Sequence, residues 1–203
     1  VNNLLAMTEI LEENYEANLD EDGIRCVHEI QRGGRRMEAI IADLLRLSRI
    51  TRREPRREEV DLSTAAGKVM EDIGARKPRP DVRVNIEGNM RAQADPGLLR
   101  HVLHNLLGNA WKYTTYTENA TIEMGTREQD GGTVYFVRDN GEGFDPRHAS
   151  HLFEPFTRLH KRDKYEGTGI GLSLVKRIVA RHGGKIWAEG EPGKGSTFYF
   201  TLG

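Results

Sequence analysis

The first fifty residues carry apolar side chains at the spacing of two amphipathic helices. The pattern predicts one helix over residues 2–17, a turn at 19–23, and a second helix that runs from there to about residue 50. In the second helix, mostly apolar residues recur at steps of three and four: Val27, Ile30, Gly34, Met37, Ile41, Leu44 and Ser48. Such a heptad seam predicts pairing with other helices, and we expect a four-helix arrangement of two hairpins from two chains. The alternative is that the hairpin packs on the rest of its own chain.

The segment that follows the hairpin is strongly polar. Residues 49–59 hold five arginines, three glutamates and one proline. We interpret residues 51–59 as a solvated linker between a helical domain at 1–50 and a second domain at 60–203. A basic binding site is the alternative interpretation of the same residues.

From Val60 onward, short strands alternate unevenly with helices. The pattern predicts helices at about 62–75, 96–114 and 169–182, and strands at about 82–86, 90–94, 120–126, 133–139, 185–189 and 196–202. Asp95 and Pro96 mark the start of the second of these helices, because an acidic cap followed by proline is typical of a helix start. This order predicts an α+β fold: an α/β sandwich with helices on one face of a mixed sheet.

Composition narrows the class of protein. The 203 residues have a formal net charge of −1, which gives no overall attraction to nucleic acid or to a membrane surface. The single cysteine, Cys26, excludes an internal disulfide and suits a reducing, cytoplasmic compartment. No apolar run reaches the roughly 18 residues of a membrane span. Because the chain begins at Val1 in the middle of a helical pattern, we expect a fragment, with any sensor or membrane segment upstream.

Polar residues share one face of the predicted helix at 96–114. Asn105, Asn109, Lys112 and Tyr113 occur at i, i+4, i+7 and i+8. Two amides and a lysine are costly to desolvate on such a helix unless a polar ligand pairs with them. Amide oxygens suit Mg²⁺ and a lysine suits phosphate, so the pattern indicates a nucleotide site. An ordinary amphipathic helix is the alternative.

Three glycine-bearing segments follow, and each is weak evidence by itself. Asp139 ends a predicted strand before Gly141 and Gly143, where a carboxylate can accept a hydrogen bond from an exocyclic amine; a hairpin turn would explain the same residues. The segment 167–171 has glycine at alternate positions and opens a helix, which suits phosphate binding. The segment 193–197 is typical of a glycine-rich hairpin turn.

Together, in this order, the four segments resemble the N, G1, G2 and G3 boxes of the catalytic domain of sensor histidine kinases. That domain is one branch of the ATPase superfamily shared with gyrase, heat-shock chaperones and mismatch-repair proteins. Residues 153–158 are similar to the F box of the family, and the resemblance covers about residues 60–203. Residues 158–172 look like those of kinases of the phytochrome-related type.

The resemblance implies roles for the polar face of the helix. Asn109, with Asn105 beside it, would hold Mg²⁺ and the phosphates of ATP, and Lys112 would reach a phosphate. Tyr113 would pack by the ribose or base. In chaperone-type relatives a glutamate at the position of Asn105 activates water, which an amide cannot do. This difference favours ATP held for phosphotransfer over ATP hydrolysed directly.

The resemblance also implies an adenine pocket and a lid. Asp139 would bind the adenine amine, helped through water by Thr197, and Gly141 and Gly143 would shape the pocket. Residues 156–167 would form a lid over ATP. The other expected ATP-binding residues lie in this lid or just after it: Arg158, Arg162, Tyr165, Gly167, Thr168, Gly169, Ile170, Gly171 and Leu172.

The phosphoacceptor of the family is not found in this sequence. Histidine kinases phosphorylate a histidine on the first hairpin helix, and no histidine occurs before His28. His28 and Glu29 lie on the second helix without the proline of the family motif, so we interpret His28 as a solvated helix residue. We expect the acceptor to lie upstream of Val1, and no catalytic residue is assigned within the chain.

These observations predict a homodimeric kinase that uses ATP and Mg²⁺ to phosphorylate its own histidine. The phosphoryl group would then pass to the receiver domain of a response regulator in the cytoplasm. The alternative is a regulatory or pseudokinase module that binds ATP without transfer, and Asn105 disfavours a chaperone-like or repair-type ATPase. Nucleic acid is not an expected partner, and a membrane is expected only through upstream segments.

Overall fold

The chain folds as two units, Val1–Arg49 and Ile50–Gly203. The computed structural model describes residues 1–15, 18–52, 54–129, 131–157, 165 and 167–203, and the side chains at residues 2, 43 and 46–52 lie outside this description. No helix within the described ranges is both long and apolar enough to cross a membrane. The boundary between the units falls just before the predicted linker.

The first unit is an antiparallel helical hairpin, as the sequence predicts. Helix α1 spans Asn2–Tyr15 and helix α2 spans Glu21–Arg52. Thr8 of α1 and Val27 of α2 are buried. Gly34 allows close approach of the two helices, because a Cβ at this position would stand 2.6 Å from Cδ2 of Leu5.

Much of the predicted seam is left uncovered in the single chain. Four of its members are between 45% and 47% exposed: Ile30, Met37, Ile41 and Leu44. On α1, Met7 is 67% exposed. The single hairpin therefore presents an apolar face to solvent, while Val27 and Gly34 of the same seam are buried.

Polar residues bridge the middle of the hairpin. Gln31 Nε2 donates to Glu12 Oε2 at 2.8 Å, and His28 Nε2 lies 3.3 Å from Glu12 Oε1. The hydrogen bonds from Gln31 and then His28 lower the pKa of Glu12 below its ordinary value. His28 is half exposed, which agrees with its interpretation as a solvated helix residue.

The second unit begins with a strand that the sequence analysis did not predict. Strand β1 (Glu58–Asp61) starts inside the segment interpreted as a linker and pairs antiparallel with β3 (Arg91–Ala94). Arg91 forms an ion pair across the two strands with Glu59 at 2.6 Å. Helix α3 (Leu62–Arg76) follows β1 directly. The two strands form a small sheet separate from the main one.

The main sheet is mixed and has five strands in the order β2-β4-β5-β7-β6. Its strands are β2 (Arg83–Ile86), β4 (Thr121–Gln129), β5 (Gly132–Asp139), β6 (Ile186–Glu191) and β7 (Gly195–Phe200). Strand β2 runs parallel to β4, and the other neighbouring pairs are antiparallel. A 3₁₀ helix over Pro146–Phe153, in a stretch expected to be loop, was not predicted.

The helices of this unit cover one face of the main sheet. Helices α4 (Pro96–Tyr113) and α5 (Gly171–Arg181) lie with α3 on that face. Met124 is paired with Val137, and Val137 with Phe198, across neighbouring strands. Because paired residues point to the same face of a sheet, all three project toward the helices, and all three are buried. The α/β sandwich predicted from the sequence is confirmed.

Candidate functional site

Helix α4 is fixed by a cap at its start and by a buried stripe along its length. Asp95 Oδ1 accepts a hydrogen bond from Leu98 N–H at 3.0 Å, and Pro96 occupies the first turn. The buried stripe consists of Leu99, Val102, Leu103, Leu106, Leu107 and Ala110. The predicted site residues are each half-buried on the remaining surface of the helix: Asn105, Asn109, Lys112 and Tyr113. Their shared face follows directly from their spacing.

Asn105 joins α4 to the start of α5. Its Nδ2 donates to the carbonyl oxygen of His101 at 2.8 Å, one turn earlier in the same helix. Its Oδ1 lies against Gly171, so close that a Cβ at position 171 would collide with it. The amide donor is therefore used within α4, and the amide oxygen lies at the N-terminus of α5.

The end of α4 meets the residues that precede α5. Tyr165 is buried, and its ring centroid lies 5.0 Å from that of Tyr113 and 5.9 Å from that of Tyr116. Lys112 Nζ lies 4.1 Å from the centroid of the Tyr113 ring. The same atom would be 3.5 Å from a Cβ on Gly167. Predicted site residues about fifty positions apart in the sequence are thus brought together.

Asp139 is a nearly buried carboxylate at the end of β5, with 5% of its surface exposed. Ser196 Oγ donates to its Oδ2 at 2.6 Å, and Gly141 N–H donates to its Oδ1 at 2.9 Å. Burial raises the pKa of Asp139 above its ordinary value, and these hydrogen bonds only partly offset the rise. Because a carboxylate offers about four acceptor positions, Asp139 can accept a further hydrogen bond from a ligand amine.

The structure places Ser196, and not Thr197, against Asp139. In the pairing of β5 with β7, Asp139 is opposite Ser196 and Arg138 is opposite Thr197. Arg138 Nε donates to Thr197 Oγ1 at 3.4 Å on the uncovered face of the sheet. Thr197 therefore lies on the other face of the sheet from the Asp139 carboxylate, and Ser196 is the β7 residue beside that carboxylate. Strand alternation could have identified it from sequence, since core-facing Phe198 puts Ser196 on the same side.

Backbone contacts join the end of α4 to the loops after β5 and before β7. Glu142 N–H donates to the carbonyl oxygen of Tyr113 at 3.1 Å, and Gly193 N–H donates to that of Glu142 at 2.7 Å. A Cβ at Gly141 would collide with the Tyr113 carbonyl oxygen, and one at Gly143 would collide with the backbone before β7. Glycine is therefore required at both positions, and three of the predicted segments are in direct contact.

A backbone hydrogen bond joins two residues that precede α5, Phe156 and Gly169. Phe156 N–H donates to the carbonyl oxygen of Gly169 at 2.9 Å. A Cβ at Gly169, where φ is +77°, would stand 2.9 Å from the carbonyl carbon of Phe156. Thr168 Oγ1 accepts from Ile170 N–H at 3.3 Å, and Leu172 is half-buried in the first turn of α5.

Most of the predicted lid, residues 156–167, lies outside the described residues. Arg158 and Arg162 both fall in the part of the chain that is not described. Of the lid residues expected to bind ATP, the structure places Tyr165 and Gly167, both beside the end of α4.

A family model matches the C-terminal half of the chain. Residues 94–203 match the family described as histidine kinase-, DNA gyrase B-, and HSP90-like ATPase. The matched segment includes α4, Asp139 and every glycine loop described above. It covers more than half of the 203 residues.

Curated relatives match nearly the whole chain, including the hairpin. Phytochrome-like protein Cph1 of Synechocystis sp. is 31% identical over 202 residues, which is 100% of this chain and 27% of that protein. Cyanobacterial phytochrome B of Nostoc sp. is 36% identical over 195 residues, covering 95% of this chain and 26% of that protein. The adaptive-response sensory kinase SasA of Synechococcus sp. is 34% identical over 203 residues, covering 96% of this chain and 53% of that protein. The chain thus spans about a quarter to a half of these relatives' length.

Solved structures share the arrangement. The crystal structure of full-length ShkA in complex with AMPPNP has a TM-score of 0.69 and 26% identity, covering 99% of this chain and 42% of that one. Histidine kinase ThkA in complex with response regulator protein TrrA also has a TM-score of 0.69, at 22% identity, covering 99% of this chain and 57% of that one. At 22% identity, the second likeness concerns the fold alone.

Proposed function

This chain belongs to the histidine kinase-, DNA gyrase B- and HSP90-like ATPase family, and we propose that it is the ATP-binding part and dimerisation hairpin of a sensor histidine kinase. The observation that carries the proposal is the convergence of α4, the loop after β5 and the loop before β7 around Asp139. Two backbone hydrogen bonds through Glu142 hold these three segments together. Similarity to a sensory kinase and to a phytochrome-like protein, over both the hairpin and the ATP-binding domain, supports the same conclusion.

Asp139 is the group that selects adenine in this proposal. Its carboxylate accepts a hydrogen bond from the exocyclic amine, and the Ser196 hydroxyl holds the carboxylate in place. A hydrogen bond to a charged group is worth about 1.5–3 kcal/mol. Gly141 and Gly143 let the loop beside Asp139 pack closely on the backbone of the neighbouring segments, since side chains there would collide with that backbone.

Phosphate and Mg²⁺ are assigned to the other end of the site. Lys112 supplies a cation, and the backbone N–H groups at the start of α5, over residues 167–172, suit phosphate oxygens. The amide oxygens of Asn105 and Asn109 are hard ligands of the kind that Mg²⁺ prefers. Mg²⁺ bound there would neutralise charge on the phosphates. The two lid arginines are assigned to phosphate from the family resemblance alone: Arg158 and Arg162.

The reaction proposed is transfer of the terminal phosphoryl group to a histidine, and not hydrolysis of ATP. Asn105 has an amide that cannot remove a proton from water, and its Nδ2 is already bonded to the carbonyl oxygen of His101. Phosphoryl transfer relies mainly on positioning and on charge stabilisation, which Lys112 and the start of α5 supply. The attacking nitrogen belongs to a histidine in a longer protein that contains this chain.

The hairpin supplies the dimer in this proposal. Its uncovered apolar residues, among them Met37 and Ile41, are nearly half exposed in one chain. A second hairpin would bury this face and complete a four-helix bundle. The phosphorylated histidine would then pass its phosphoryl group to the receiver domain of a response regulator, in the cytoplasm.

Phosphorylation of the full-length protein that contains this chain tests the proposal. Incubation with γ-labelled ATP and Mg²⁺ is expected to give a label that is stable in base and lost in acid, and that moves to a receiver domain. The Asn109→Ala variant is the matched control and is expected to lose the label. ATP binding without labelling would instead indicate a regulatory or pseudokinase module. Release of free phosphate without labelled protein would indicate a hydrolytic ATPase.

A further inference from the structure

Helix α4 ends in a turn whose carbonyl groups are bound from several directions. The last four carbonyl groups of a helix lack partners within the helix itself. Here the carbonyl oxygen of Ala110 accepts from Thr114 N–H, and that of Lys112 accepts from Thr115 N–H, both at 3.2 Å. The carbonyl oxygen of Tyr113 accepts from the loop after β5. The carbonyl oxygen of the fourth residue, Trp111, lies 3.2 Å from Thr114 Oγ1 and also accepts from a side chain in a different part of the fold.

That side chain is Arg79, from the connection between α3 and β2. Its Nη1 donates to the carbonyl oxygen of Trp111 at 2.7 Å, and its Nη2 donates to that of Thr114 at 2.8 Å. Nη1 also lies 3.2 Å from Thr114 Oγ1. The guanidinium carbon is 5.3 Å from the centroid of the Trp111 ring, and the side chain is only 13% exposed. Arg79 therefore binds the turn through both Nη1 and Nη2.

The chemistry of arginine suits this position. A cation at the C-terminus of a helix is favoured by the helix dipole, and hydrogen bonds from a charged donor are stronger than neutral ones. The planar fork of arginine spans two carbonyl groups at once, which the single ammonium of lysine cannot do with the same geometry. The ion pair with Asp81 is long, at 3.8 Å, so the carbonyl groups are the main partners of Arg79.

The clamped turn carries two residues of the proposed site. Lys112 and Tyr113 lie between Trp111 and Thr114, the two residues whose carbonyl groups Arg79 binds. Asp139, by contrast, is held by β5 and by Ser196. Movement of the turn would displace the lysine assigned to phosphate directly, whereas it would reach the adenine-binding carboxylate only through the contact of the Tyr113 carbonyl oxygen with Glu142 N–H.

We propose that Arg79 is a positioning residue for ATP. By clamping the last turn of α4, it fixes Lys112 at the phosphate end of the site without touching the nucleotide. The inference rests on the proposed function, because it takes Lys112 to be a phosphate contact and Asp139 to be the adenine contact. Loss of Arg79 is therefore expected to weaken binding of the phosphates more than binding of adenine.

Affinities for ATP and for adenosine, both followed by amide NMR shifts, test this assignment. Arg79→Met is expected to weaken ATP binding about tenfold, as for loss of one charge-assisted interaction. Adenosine has no phosphates, so its affinity is expected to change less than about threefold. The ATP affinity of Arg79→Lys is expected to fall between those of Arg79→Met and the wild type. If Arg79→Met does not fold, the affinities of Arg79→Lys for ATP and adenosine are compared with those of the wild type instead.

Arg100→Met is the matched control. Arg100 also connects α3 to α4, through an exposed ion pair with Asp72 at 3.0 Å, but at the opposite end of α4 from the site. It is expected to leave the ratio of the two affinities unchanged. An unchanged ratio in the Arg79 variants, or an equal change in Arg100→Met, would overturn the assignment of Arg79 alone. A wild-type protein that binds no ATP would overturn the proposed function, and this inference with it.

Discussion

The substitution Asp139→Asn changes the charge of the buried carboxylate while nearly preserving its shape. Gly141 N–H is a fixed backbone donor 2.9 Å from Oδ1, so the asparagine must keep an oxygen at that position. Its Nδ2 then replaces Oδ2 and donates to Ser196 Oγ, which accepts where it formerly donated. The pocket thereby presents an N–H group where the adenine amine also needs to donate.

The affinity for ATP is expected to fall sharply. Loss of a hydrogen bond to a charged acceptor costs about 1.5–3 kcal/mol. Because about 1.4 kcal/mol corresponds to a factor of ten, the dissociation constant for ATP should rise about 10- to 150-fold. The donor-to-donor contact adds to this loss, so the lower figure is a minimum.

The same substitution is expected to stabilise the ligand-free fold at neutral pH. Burial raises the pKa of Asp139, so the folded protein holds this proton more tightly than the unfolded chain does. The stability contributed by such a group is fully present below the unfolded pKa and is lost as the pH rises through the folded pKa. Because pH 7 lies above the ordinary pKa of a carboxyl group, the raised pKa of Asp139 costs stability there, and asparagine removes that cost.

Calorimetric titration with ATP and thermal unfolding at pH 4, near the ordinary pKa of aspartate, and at pH 8 measure the two effects. The gain in melting temperature of Asp139→Asn over wild type should be larger at pH 8. Asp145→Asn is the control, because Arg147 lowers the pKa of Asp145 to about 2, the opposite direction. It should leave ATP affinity unchanged and should not gain stability as the pH rises. If Asp139→Asn binds ATP as wild type does, Asp139 is not the adenine contact. If its melting temperature is below wild type at both pH values, the buried carboxylate does not cost stability.

Three further predictions concern other parts of the chain. Gly171→Ala should weaken ATP binding with little change in the urea midpoint, because its Cβ displaces the flexible end of Asn105. His182→Ala should lower the free energy of unfolding by about 3 kcal/mol, measured by urea titration, since a fully buried ring that accepts from Asp95 N–H at 3.0 Å is lost. Met37→Glu should convert the dimer to a monomer by light scattering while leaving helicity by circular dichroism unchanged, because Met37 is 45% exposed in one chain; a dimer that persists would contradict the proposed hairpin interface.

Features that depend on local sequence could be predicted. Asp95 and Pro96 mark the start of α4, and the spacing of its apolar residues fixes which side is buried. The opposite side then has to carry Asn105 and Asn109, as the structure shows. Short apolar-rich runs bounded by turn residues predicted the strands of the main sheet within a few residues.

Features that depend on distant partners could not be predicted in the same way. Strand β1 has one apolar residue, Val60, and it becomes a strand because β3, about thirty residues later, pairs with it. Likewise, nothing local to Arg79 indicates that it closes the end of α4. These contacts follow from tertiary structure and leave no periodic pattern in the sequence.

Binding of ATP to residues 1–203, followed residue by residue in an NMR titration, tests the proposed ATP site. We expect one saturable site per chain with a dissociation constant below about 1 mM, the usual range for enzyme substrates. The largest shifts should occur at Gly141 and Gly143 and at the start of α5, and removal of Mg²⁺ should weaken binding. Absence of saturable binding at millimolar ATP, or shifts confined to the hairpin, would contradict the proposed ATP site.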